Sequence, residues 1–272
     1  MMTMNTSSER VDELIRRSDA IYDIIDTSFD DEVRYRRMLR AGLSMAAISL
    51  RLGKGIDETG AQLLAMPSGL PPTAGPRELE SLAYAYGDVT RATLDRSGNP
   101  ETDARHAIHL MKLAVPYAEE MYPKLNPNKI AAYALFHDVL EAYAGDVPSL
   151  GMSPSQAAQK HHNEARALIT LRQEYGESWP ELVELIESYE ALNDGEARFT
   201  KTFDKLDPGF THFQSKGAQL KSHYGYSHDD FLHAIDEATQ RMQPYSDEFP
   251  LVMLDRDELT RRVAAIAFKK VA

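Results

Sequence analysis

Between residues 134 and 148 the chain reads Ala-Leu-Phe-His-Asp-Val-Leu-Glu-Ala-Tyr-Ala-Gly-Asp-Val-Pro. Adjacent His137 and Asp138 interrupt an apolar helix surface, and Glu141 follows four residues after the histidine. Positions i, i+1 and i+4 of a helix fall within one broad face, so three polar groups point into one region. Core packing does not ask for that, because buried charge is tolerated mainly when it is paired or binds a metal. Gly145 then turns the chain and sets Asp146 just past the helix end. Two further stretches could complete a site. Upstream, Arg105-His106-Ala107-Ile108-His109 lies near the start of a helix; downstream, Lys201-Thr202-Phe203-Asp204-Lys205-Leu206-Asp207 sets Asp204 among residues suited to a buried helix.

The elements that must position these groups read almost entirely with helical period. Val11, Leu14, Ile15, Ile21, Ile24 and Ile25 make one apolar stripe. Further helices are predicted over 31–52, 57–66, 77–96, 102–122, 128–143, 154–175, 178–191, 194–207, 228–242 and 255–270, with Pro127, Pro154 and Pro180 suiting first turns. The fold expected is all-α, with strands minor. Four prolines and two glycines in residues 67–76 mark the clearest break. They divide a helical subdomain at 1–66 from a bundle with a C-terminal helical extension at 77–272, although the two parts could equally share one core.

The 272 residues carry 30 Lys+Arg against 42 Asp+Glu, a formal charge of −12. That balance, with no Lys/Arg run interleaved with aromatics, argues against nucleic acid as a partner. It leaves room for a small anionic ligand, since a metal or a few local cations can dominate a cleft. Without cysteine, thiolate catalysis and Cys-based metal sites are excluded, and any metal must rest on His and carboxylate. No stretch reads as a membrane span, and the first eight residues lack the basic and apolar parts of a signal peptide. A cytoplasmic protein with no membrane partner is expected.

His106, then His137-Asp138 31 residues later, then Asp204 66 residues beyond, resembles the HD-domain phosphohydrolase superfamily. Within it, His106 … His137-Asp138-x-x-Glu141-x-x-x-Gly145-Asp146-Val147-Pro148 … Lys201-x-x-Asp204-Lys205-Leu206 is similar to the 5'-deoxynucleotidase branch over about residues 101–215. A lone His-Asp pair is common by chance, whereas the full set in order and spacing is specific. Ala107 stands where that branch carries Ser, and Phe203 replaces a small residue before Asp204. Ala142 stands where the (p)ppGpp hydrolases carry an acid, and the motifs of the larger triphosphohydrolases and of the cyclic-dinucleotide branch are missing. No motif locates the upstream Arg and aromatic that deoxynucleotidases set around phosphate and sugar.

The resemblance implies an HD helical bundle with extra N- and C-terminal helices, and one divalent metal held by His106, His137, Asp138 and Asp204. Two imidazoles and two carboxylates suit Mn, Co, Fe, Ni or Zn better than hard Mg. Glu141 would orient or deprotonate the attacking water, and Asp146 would assist as acid or second base. Arg105 and Lys205 are the cations expected on substrate phosphate. The activity implied is hydrolysis of a nucleotide, a (deoxy)nucleoside 5'-monophosphate first, with a triphosphate or (p)ppGpp-type substrate as the alternative on the same core. A different class of reading makes the HD core a nucleotide-sensing module, its outer helices forming a homo-oligomer or partner surface. His109, one turn from His106, is the rival metal ligand. His161-His162 reads as a solvated helix face, Lys201 as surface and Trp179 as packing. His212, His223, His228 and His233 lack a motif partner and are read as structural.

Overall fold

A computed structural model describes residues 6–29, 81–82 and 85–269. The helices expected over 31–52 and 57–66, and the break at 67–76, lie outside the described residues. The first helix, α1, is Ser7–Phe29. After helical residues at 81–82 and 85–88, a hairpin pairs β1 (Thr90–Leu94) antiparallel with β2 (Pro100–Thr102), Thr90 facing Thr102 and Leu94 facing Pro100. The bundle follows: α2 Asp103–Met121, α3 Pro127–Phe136, α4 Glu141–Ala144, α5 Pro154–Tyr175, α6 Pro180–Glu190, α7 Gly195–Asp204, α8 Pro208–Gln214, α9 Ala218–Ser222, α10 His228–Ser246 and α11 Pro250–Ala267. The fold is all-α, as expected.

Local chemistry explains most boundaries. Asn126 accepts from the Asn128 and Lys129 amides at the head of α3, and Asp194 accepts from the Ala197 amide at the head of α7. Ser153 with Gln156 and Ser227 with Asp230 form capping boxes on α5 and α10. Pro127, Pro154 and Pro180 each occupy a first turn, where a missing N–H costs nothing.

Two expectations are corrected here. The helix expected over 77–96 gives way to β1 at residue 90. Val89, Thr90 and Thr93 favour extended backbone, and Asp95 closes the turn by accepting from the amides of Ser97 and Asn99, with Gly98 at φ 84°. The helix expected over 128–143 also breaks. Residues 137–140 form a tightened turn with i to i+3 bonds, Val139 to Phe136 and Glu141 to Asp138. With about three residues per turn, side chains three apart eclipse, so Asp138 and Glu141 align more closely than an α-helix would place them.

Two apolar clusters hold the bundle. One joins α3, α5 and α6 around Phe136, Trp179 and Tyr189. The other gathers Val11, Leu14 and Ile21 of α1 with Leu110, Phe199, Phe203, Val252 and Leu259. Helix α1 thus shares a core with α2, α7 and α11. A buried ion pair fixes it there: Arg10 donates to both oxygens of Asp255, and Oδ2 also accepts from the Tyr117 hydroxyl at 2.7 Å. That carboxylate is paired twice, the condition for burying charge without large cost.

Candidate metal centre and active-site cavity

Three segments deliver the four expected ligands to one point. Helix α2 brings His106, the turn after α3 brings His137 and Asp138, and the last residue of α7 is Asp204. Among the described residues, these four offer one ligand atom each, all within 4.8 Å of one another. Asp204 Oδ1 lies 2.9 Å from His106 Nε2 and 3.5 Å from His137 Nε2. Asp138 Oδ2 lies 2.9 Å from His137 Nε2 and 3.9 Å from His106 Nε2.

The donor set fits a cation. His137 Nδ1 sits 2.9 Å from the Ala134 carbonyl, which can only accept, so the proton of the neutral ring is on Nδ1. Its Nε2 is then a lone pair aimed at two carboxylates. That nitrogen is buried and makes no well-formed hydrogen bond, despite lying 2.9 Å from Asp138. A proton or a metal must sit between these groups. Without a metal, burial disfavours charge on both rings, and Arg91 adds to this at His106. The carboxylates outweigh both effects, raising His106 to about 9 and His137 to about 10. Burial opposes ionisation of Asp138 and Asp204 as well, yet His137, with Arg91 at Asp138 and Lys205 at Asp204, holds them well below the usual carboxylate range.

The sign of the pH dependence follows. Both histidines are protonated near neutrality, and a metal needs them neutral, so binding releases protons and affinity falls as the solution is acidified. About one to two protons should leave per ion bound at pH 7. Calorimetry in two buffers of different ionisation enthalpy measures the number, and a heat independent of buffer would contradict it.

The centre opens on a cavity of about 190 Å³ lined by Asp138, Glu141, Asp146, Asp204 and Lys205. Glu141 is buried. Its Oε1 accepts from Lys160 Nζ at 3.0 Å, and its Oε2 has no partner. Burial and the nearby Asp138 carboxylate push its carboxyl well above the ordinary range. Asp146 follows Gly145, whose φ of 74° suits glycine, and accepts from the Ala92 amide of β1 at 3.3 Å. Lys205 Nζ is 2.7 Å from Asp204 Oδ2. Arg105 stands on α2 beside His106, but it is not among the residues lining the cavity. Lys201 lies over the Tyr189 ring and also stays outside it.

Sequence reasoning missed several groups. Arg91 of β1 donates to Asp138 Oδ2 at 2.7 Å and to Asp103 Oδ1 at 3.1 Å, and it lines the cavity. It offsets an acidic group of Asp103, Asp138 and Glu141. The mistaken helix over 77–96 hid it. Lys160 of α5 and Arg256 of α11 also line the wall. Arg256 is buried, donates to the Lys205 carbonyl and the Thr239 hydroxyl, and forms no ion pair with a carboxylate among the described residues. His212, read as structural, lines the cavity too, and burial lowers it to about 4. His109 is not a ligand in this arrangement: its Nδ1 faces Asp207 and its Nε2 faces Ser18.

A helical bundle in which two buried imidazoles meet two carboxylates that line a cavity defines a class of metal-dependent hydrolases. The HD domain family matches residues 88–244, and the chain belongs to it. The chain is similar to the 5'-deoxynucleotidase HDDC2 of Bos taurus, 27% identical over 149 residues, covering 51% of this chain and 70% of the relative. It is also similar to the 5'-deoxynucleotidase HDDC2 of Homo sapiens, 26% identical over 140 residues, covering 49% and 66%. A crystal structure of a predicted metal-dependent phosphohydrolase from Magnetospirillum magnetotacticum MS-1 aligns with a TM-score of 0.51 at 25% identity, over 66% of this chain and 91% of that one. Among the described residues no helix is long and apolar enough to cross a membrane.

Proposed function

We propose that the chain hydrolyses the phosphate ester of a nucleotide, a (deoxy)nucleoside 5'-monophosphate first, using one divalent transition metal held by His106, His137, Asp138 and Asp204. The observation that carries this reading is the buried Nε2 of His137. It is aimed at Asp138 and Asp204 without a well-formed hydrogen bond among the described residues, and both carboxylates line a cavity shared with Glu141, whose Oε2 is likewise unpartnered there. Two nitrogen and two oxygen donors favour Mn, Co, Fe, Ni or Zn over Mg. The 5'-deoxynucleotidase relatives support the monophosphate.

A bound cation would supply Lewis acidity, polarising a phosphoryl oxygen and acidifying water beside it. The protein supplies the rest. Glu141 Oε2, free and at a raised pKa, takes the proton of the attacking water. Lys160 holds the other oxygen of that carboxylate, so the group keeps its orientation through proton transfer. Asp146, fixed by the Ala92 amide, stands in the same cavity to assist the leaving ester oxygen. Arg91 and Lys205 offer cationic N–H groups where phosphate charge must be neutralised, which is most of what phosphoryl hydrolysis requires. Leu206, Phe231, Ile235, Met242 and Leu259 give the cavity an apolar side fit for a nucleoside, with the Arg256 guanidinium among them.

The test is phosphate release from a panel of nucleoside mono-, di- and triphosphates and (p)ppGpp, with Mn or Co added. Turnover of monophosphates, lost on chelation, is the expected result. Turnover confined to a triphosphate or to (p)ppGpp would move the substrate, and nucleotide binding without any turnover would favour a sensing module.

A further inference from the structure

We propose that Asp207, His109 and Ser18 form a relay that holds His106 in the one tautomer able to bind a cation. Helix α1, which precedes the matched family segment, would thereby help set the metal affinity of the centre. The inference rests on the reading of His106 as a metal ligand.

His106 Nδ1 lies 2.9 Å from Asp207 Oδ2, and His109 Nδ1 lies 2.8 Å from Asp207 Oδ1. Each ring turns Nδ1 to one oxygen of that carboxylate, so once a cation takes the place of the proton on His106 Nε2, the ring presents Nδ1–H to Asp207. His109 Nε2 is 2.9 Å from Ser18 Oγ. The Gln214 amide nitrogen donates to that same oxygen at 3.2 Å and to Asp19 at 2.8 Å, which fixes the amide's orientation. The serine proton is therefore left for His109. Donation runs from Gln214 through Ser18 and His109 to Asp207, which also receives His106, and the chain ends with the His106 Nε2 lone pair facing Asp204 and Asp138.

Packing alone does not account for this arrangement. Ser18, His109 and Asp207 are all fully buried, and a carboxylate there with no Lys or Arg paired to it among the described residues is costly unless its bonds are used. Asp207 precedes Pro208 at the head of α8, where an aspartate ordinarily caps, yet it makes no cap bond and turns inward. Tyr22 of α1 stacks on His109 at 4.3 Å between ring centroids, so α1 fixes the ring's plane as well as its bond. Carboxylates placed behind a ligating imidazole fix its tautomer and raise its basicity, and their loss costs about 10–100-fold in metal affinity.

Co(II) binding to the full chain, by chelator competition and visible absorption, tests the relay, with thermal melts in EDTA run beside it. In Asp207→Asn the amide must point its NH2 at one of the two Nδ1–H groups, and Co(II) affinity should fall about 10–100-fold with an altered spectrum. His109→Asn keeps an amide N–H near the Nδ1 position and should bind like wild type, whereas His109→Ala should bind several-fold more weakly. Ser18→Ala should also weaken binding several-fold. Val11→Ala, which loosens α1 at an apolar contact, should lower Tm and leave affinity unchanged. Wild-type affinity and spectrum in Asp207→Asn, or equal affinities in Ser18→Ala and Val11→Ala, would overturn the relay; the second pair decides if Asp207→Asn does not fold. A wild-type chain that binds no Co(II) would instead defeat the reading of His106 as a ligand.

Discussion

Asp204→Ala is expected to empty the centre and abolish turnover. The carboxylate it removes reaches both imidazoles, 2.9 Å from His106 Nε2 and 3.5 Å from His137 Nε2. The remaining two nitrogens and one carboxylate would hold a divalent ion far more weakly. Elemental analysis should find about one metal per wild-type chain and less than about a tenth of that in the variant. Lewis-acid stabilisation contributes several kcal/mol, and each 1.4 kcal/mol is tenfold in rate, so phosphate release should fall by about 10³-fold or more. Far-UV circular dichroism should match wild type, because Lys205 is half-exposed and can turn to water once its partner is gone. Metal retained at the wild-type level would mean that the four side chains do not share one ion.

Glu141→Gln separates the chemistry from the metal. The amide keeps the side chain's size and an oxygen for Lys160 to bond, but it cannot accept the proton of an attacking water. General-base catalysis is worth about 10²–10⁴-fold, so kcat should fall by that factor while metal content and KM stay close to wild type. A variant within about threefold of wild type would assign proton removal elsewhere, with Asp146 next in line because it faces the same cavity.

The two variants act on different parts of one arrangement, and the neighbouring charges explain why. Asp204 stays ionised because two imidazoles and Lys205 surround it, whereas Glu141 is pushed toward its neutral form by burial and by Asp138. Two carboxylates in one cavity are thus driven in opposite directions, which suits Asp204 to hold a cation and Glu141, the more basic of the two, to exchange a proton.

The sequence by itself determined the helical class, most helix starts and the four histidine and aspartate groups that the fold brings together. Caps and first-turn prolines are local, since a serine or asparagine bonds amides two or three residues away. His137, Asp138 and Glu141 were legible because charged groups in an apolar helical stretch have no packing reason to be there, and the order with His106, Asp146 and Asp204 was legible through its resemblance to the HD pattern. Helices α8 and α9 escaped because they are too short to show a period. Only the tertiary structure decided which partners each group meets. Arg91 reaches Asp138 across 47 residues, and Ser18 reaches His109 across 91, through contacts that no local periodicity encodes. Asp207 falls inside the helix expected over 194–207, and only the packing of α2 against it sets its carboxylate behind His106. A side chain's type fixes what it can bond, but the packing of distant helices fixes which way it points.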